Sequence, residues 1–70
     1  MARTYYTLCK FDREQGVFFD EFGSYSRREV QDELDGEVDN GTKRKHLIVI
    51  KTDGSAAQLI AAVADLNAGR

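Results

Sequence analysis

All seven aromatic residues of this chain lie within its first 25 positions: Tyr5, Tyr6, Phe11, Phe18, Phe19, Phe22 and Tyr25. They fall in two adjacent segments separated by a polar stretch, and they occupy both parities of each. Alternate residues of a strand face opposite sides of a sheet, so a hairpin built from these segments has bulky apolar groups on both faces. Both faces then need cover. A chain of 70 residues has little to supply it, since a domain of this size buries only about 60% of its extended-chain surface.

The first segment, residues 4–11, alternates Tyr5, Thr7, Cys9 and Phe11 with Tyr6, Leu8 and Lys10, the pattern of a strand. Asp12-Arg13-Glu14-Gln15-Gly16 reads as the hairpin loop, with the glycine near its end. Val17 to Phe22 is the return strand. Simple alternation puts Val17 and Phe19 on one face and Phe18 and Phe22 on the other, with Gly23-Ser24 as the break. Ser26 and Glu29 have capping-box spacing, and Val30, Leu34 and Val38 give the following helix one narrow apolar stripe. Asn40-Gly41 ends it. Four consecutive aliphatics, Leu47-Ile48-Val49-Ile50, suit a strand covered on both sides. Ser55 and Gln58 then cap a last helix whose expected buried face is Leu59, Ile60, Val63 and Leu66.

The order β-β-α-β-α and the right-handed crossover rule predict the α+β class. The expected architecture is a two-layer ββαβα sandwich, a single domain over residues 1–70. Its three-stranded antiparallel or mixed sheet has the order 2-1-3, with both helices on one face. That arrangement leaves the opposite face open. The exposed set is then either Tyr5, Cys9 and Phe11 with one phenylalanine group, or Tyr6 and Leu8 with the other. A contiguous apolar patch of that kind marks an interaction surface.

Composition narrows the function. Net charge is −2, which gives no overall attraction to nucleic-acid phosphates or anionic membranes. The apolar runs are too short to span a bilayer. One cysteine, Cys9, cannot form an internal disulfide, and a reducing cytoplasm suits it best. Cys9 and the sole histidine, His46, lie on different elements without a third group, so neither nucleophilic catalysis nor a metal site is expected. Cys9 reads as a packing group and His46 as a surface or strand-edge residue. The acidic residues lack the spacing of a calcium loop. The helix start after Thr52-Asp53-Gly54-Ser55 has no phosphate-binding glycine loop. The basic run Lys43-Arg44-Lys45 is short, and the third strand lacks the signature of RNA-recognition domains. No catalytic group, metal or cofactor is expected.

A binding module remains. Its expected contact residues are Tyr5, Tyr6, Phe18 and Phe19 on the sheet, as large rigid anchors, and Asp32, Glu33, Asp35 and Asp39 on the first helix, as a negative strip that orients a basic partner. In size, single α+β domain, acidic balance and lack of catalytic groups, the chain resembles the small phage- or prophage-encoded proteins that disable bacterial defence. Anti-CRISPR proteins are the best-known group of these. That resemblance implies a CRISPR effector complex as protein partner, a block of its DNA or guide-dependent binding, and action in the bacterial cytoplasm. The other expectation is a homodimeric assembly subunit that pairs through the open sheet face or the edge of the second strand. A small nucleic-acid-binding domain is the weaker reading.

Overall fold

The computed structural model describes residues 3–69. Its elements are β1 (Tyr5–Asp12), β2 (Val17–Ser24), α1 (Arg27–Asp39), a 3-10 turn (Arg44–His46), β3 (Leu47–Thr52) and α2 (Ala56–Ala68). The sheet has the order β2-β1-β3, and β1 pairs antiparallel with both neighbours. The α+β class and the strand order are those expected. β2 and β3 flank the same central strand, so they run in the same direction.

The hairpin loop closes on Asp12. Its carboxylate accepts the backbone N–H groups of Glu14 (2.9 Å) and Gln15 (3.3 Å), and its carbonyl accepts that of Gly16 (2.7 Å). Gly16 sits at φ +72°, a conformation open to glycine at little cost.

Register assigns the faces, because residues directly opposite in an antiparallel pair point to the same side. One face carries Tyr6, Leu8 and Lys10 with their partners Phe22, Phe19, Val49 and Leu47. On it α1 seats Val30 and Leu34, which join Leu8 and Leu47 in the core; Tyr6, Phe22, Val38 and Val49 pack around them. The other face carries Thr7, Cys9 and Phe11 with Asp20, Phe18, Ile48 and Ile50. There α2 lies over the sheet, and Leu59, Val63 and Asn67 line a groove with Asp20.

The helices are therefore divided between the two faces instead of sharing one, and no sheet face is left open. Both Leu8 and Cys9 are fully buried although they point to opposite sides. The reason is the one the aromatic hairpin poses: large groups at both parities are covered only if each helix takes one side. The cover by α2 is thin. None of its residues is fully buried, and its inner stripe is Leu59, Ala62, Val63, Leu66 and Asn67. Ile60, expected inside, is 70% exposed, since a step of about 100° from Leu59 carries it to the flank.

A β-bulge changes the hairpin's parity. Leu8 pairs with Phe22, but Cys9 pairs with Asp20, so Glu21 is the extra residue. Phe18 and Phe22, both even-numbered, thereby face opposite sides, whereas Phe19 and Phe22 share one. Strand β2 also runs on through Gly23, which was expected to break it. The ring of Tyr5 lies across that glycine, where an added Cβ would come within 2.8 Å of the ring.

Both helix caps use a residue two positions upstream. Ser26 Oγ accepts the Glu29 N–H (3.3 Å), while Ser24 Oγ accepts the Ser26 N–H (3.0 Å) and donates to the Glu29 carboxylate (3.1 Å). Likewise Ser55 Oγ accepts the Gln58 N–H (3.2 Å), Asp53 accepts the Ser55 N–H (2.8 Å), and Gln58 accepts the Asp53 N–H (3.0 Å). At its far end α2 is tied to the outer strand. The Asn67 side chain accepts the Phe18 N–H (2.7 Å) and donates to the Phe18 carbonyl (3.1 Å), replacing a missing strand neighbour.

Candidate functional site

The sheet rings do not form a shared surface. Phe18, expected as a contact residue, is only 6% exposed; its backbone is clamped by Asn67 and its ring is edge-on to Phe11 at 5.3 Å. Tyr5 and Tyr6 are half-buried on opposite faces, Tyr6 within the α1 core and Tyr5 against Tyr25 at 4.8 Å. Phe19 is 38% exposed, on the α1 side of the sheet. Tyr25, 44% exposed with the Arg3 guanidinium 4.7 Å above its ring, was not among the expected contacts.

Three of the four acidic residues share one side of α1, and Glu33 lies on its flank. Asp32, Glu33, Asp35 and Asp39 are all exposed on α1, away from Val30 and Leu34. Spacings of three and four keep Asp32, Asp35 and Asp39 on one outer stripe. Asp35 accepts a hydrogen bond from Gln31 (3.1 Å), and none of the four is in an ion pair among the described residues. The first turn holds Arg27, Arg28 and Glu29, whereas Glu37 and Asp39 stand in the last turn, where there is no basic residue. An unneutralised carboxylate there, as at Asp39, costs roughly 0.3–1 kcal/mol.

Glu37 is the exception, because it is neutralised. It takes the Lys10 ammonium at 2.9 Å and the Thr42 hydroxyl at 2.9 Å, joining the C-terminus of α1 to the central strand. The Lys10 hydrogen bond, with help from Thr42, holds the Glu37 carboxyl below its usual value of 4.5. A depressed carboxyl stabilises the fold above its unfolded value, and that contribution is lost as pH falls through the folded one. Glu37→Gln should therefore cost about 0.5–1 kcal/mol at neutral pH and less with increasing acidity below 4.5. Urea midpoints measured from neutral to acid pH should converge between variant and wild type; an offset that does not change with pH would show that the ionised pair is not its source, and coinciding curves that the pair contributes nothing.

Cys9 is fully enclosed, and burial, reinforced by Asp20, pushes its thiol up to about 11. Only roughly one thiol in a thousand is then ionised at pH ~8. The native protein should resist a thiol-specific disulfide reagent and react at the rate of structural opening, with full reactivity in urea. Prompt labelling without denaturant would contradict the closed α2 face. The role of Cys9 is packing, as expected.

His46 is half-buried and stacks on Phe11, with centroids 5.3 Å apart and planes at 29°. Register explains the meeting: Lys10 lies opposite Leu47, so the next residue out on each strand is Phe11 and His46. Desolvation, then Lys45, Arg13 and Lys43, lower its pKa below the ordinary 6.5. The hairpin thus brings Arg13 to the Lys43–His46 run, a convergence that sequence spacing did not reveal because some thirty residues separate the two.

Among the described residues no group of three or more His, Cys, Asp or Glu could hold a metal ion, and no helix is long and apolar enough to cross a membrane. No protein-family model, curated protein or solved structure matches the chain.

Proposed function

We propose that this protein is a non-enzymatic binding module that sets the acidic outer face of α1 against a basic protein surface. The observation that carries this is the outer stripe of the helix. Asp32, Asp35 and Asp39 are exposed and in no ion pair among the described residues, and Asp39 stands in a last turn without a basic residue, where the dipole disfavours a carboxylate. A cationic partner supplies the neutralising charge that the chain itself does not. Phe19, exposed on the same side of the sheet, is the ring placed to anchor the contact. A basic groove that normally holds phosphates is the natural counterpart of a strip of carboxylates. With the general likeness to phage-encoded defence inhibitors, this favours a CRISPR effector complex as partner, with its DNA or guide-dependent binding blocked.

The test is competition. A purified effector complex, mixed with this protein before labelled target DNA, should lose DNA binding, less so at high salt. Asp32→Lys with Asp35→Lys should weaken inhibition about 10-fold or more while leaving stability within ~0.5 kcal/mol. Inhibition of equal strength by the variant would reduce the strip to a solvated face.

One observation favours a homodimer as the second reading. The outer face of α2 is a run of alanines with one charge, Asp65: Ala57, Ala61, Ala64 and Ala68 repeat at spacings of four, three and four, flanked by the exposed Ile60. Light scattering on wild type and Ile60→Lys decides it, since a wild-type monomer at high concentration removes this reading.

A further inference from the structure

The hairpin end of the sheet carries a second polar surface, opposite in sign to α1. Two adjoining clefts share Phe11 and His46 as a common wall. Lys10, Arg13 and Lys43 line one, and Lys45 lines the other. Among the described residues no carboxylate lines either. Lys10 is already paired with Glu37, and the nearby Asp12 is turned inward onto the hairpin amides. Arg13, Lys43 and Lys45 are exposed and in no ion pair among the described residues.

The cations come from two separate parts of the chain, the β1–β2 loop and the segment before β3, so the tertiary fold itself concentrates positive charge here. They repel one another and crowd His46. An anion is what relieves that repulsion, and a planar guanidinium with an ammonium group in the same cleft suits the several oxygens of a phosphate. The flat wall of Phe11 on His46 beside it suits a ring carried by the same ligand.

We infer that the cleft lined by Arg13 and Lys43 beside Phe11 and His46 is a binding site for the phosphate group of a small phosphomonoester, with Lys45 adding positive charge from the adjoining cleft. A single phosphate fits better than a nucleic-acid strand. Strand binding rests on many phosphate contacts, and three cations on a chain of net charge −2 supply few. The site is separate from the acidic face of α1 and does not depend on the function proposed for it.

The single histidine gives a clean readout. The pKa of His46 is followed by NMR in the full chain with inorganic phosphate, adenosine 5′-monophosphate or sodium chloride at matched ionic strength. Chloride screens the neighbouring cations and raises the value slightly. Phosphate should raise it further, by about 0.5 or more, because a bound anion favours the imidazolium. That excess should vanish in Lys43→Gln with Lys45→Gln, both at exposed positions. The nucleotide should act at lower concentration than phosphate if the ring wall is used. A response to phosphate equal to that of chloride, or an excess that survives the double substitution, overturns the site. A single-stranded oligonucleotide that binds far more tightly than the nucleotide overturns the small-ligand assignment and gives the same phosphate position to a nucleic-acid chain.

Discussion

Leu8→Ala should remove about half or more of the chain's folding stability. Leu8 is fully buried at the centre of the middle strand and meets Val30 and Leu34 of α1 and Leu47 of β3. Removing a buried leucine side chain to alanine costs about 2–5 kcal/mol, through lost transfer energy and the cavity left behind. A 70-residue domain has a total of only about 4–10 kcal/mol to lose. The upper part of the first range is expected here, because the cavity's walls are a central strand paired on both sides and a helix tied by Lys10–Glu37, and neither collapses inward easily. Urea unfolding followed by circular dichroism measures it. A midpoint shift worth less than ~1 kcal/mol would mean that α1 is not seated on this face as described.

Gly54→Ala comes next, with an expected loss of about 1–3 kcal/mol. Gly54 sits at φ +89° between β3 and α2, where L side chains are strained. Its added Cβ would also stand 2.6 Å from the Tyr25 hydroxyl and 3.4 Å from Cβ of Tyr5. Tyr25 is exposed enough to swing away, but doing so gives up its edge contact with Tyr5. Backbone strain is therefore the larger part. Gly54→Asn separates the two, since asparagine tolerates positive φ better than alanine but meets the same ring. An intermediate loss for Asn is the expected result, and equal losses would assign the whole effect to Tyr25.

The two kinds of residue that sequence reading singled out fared differently for a physical reason. Helical position follows from spacing alone, so Val30 and Leu34 were legible as the inner side of α1 and Asp32, Asp35 and Asp39 as the outer side. Strand position does not survive an inserted residue. The bulge at Glu21 put Phe18 and Phe22 on different faces, and nothing in Val17 to Phe22 announces it. The half-buried stripe of α2 was read nearly correctly, with Ile60 one step too far round. Division of the helices between two faces, which closed the surface expected for docking, was not legible. Alternation shows that both faces are apolar; it does not show which helix goes where.

The basic corner shows the same limit. Lys43, Lys45 and His46 were visible as a short run, but Arg13 and Phe11 join them only through the pairing of β1 with β3. What the chain's own order determined is local: strand and helix positions, their caps, the acidic outer stripe, and a hairpin too aromatic to leave either side bare. What required the three-dimensional structure is every relation between distant segments. Those relations rest on pairing register and on which helix packs against which face, and such long-range choices are fixed by the competition of all the burial at once, not by any one segment's pattern.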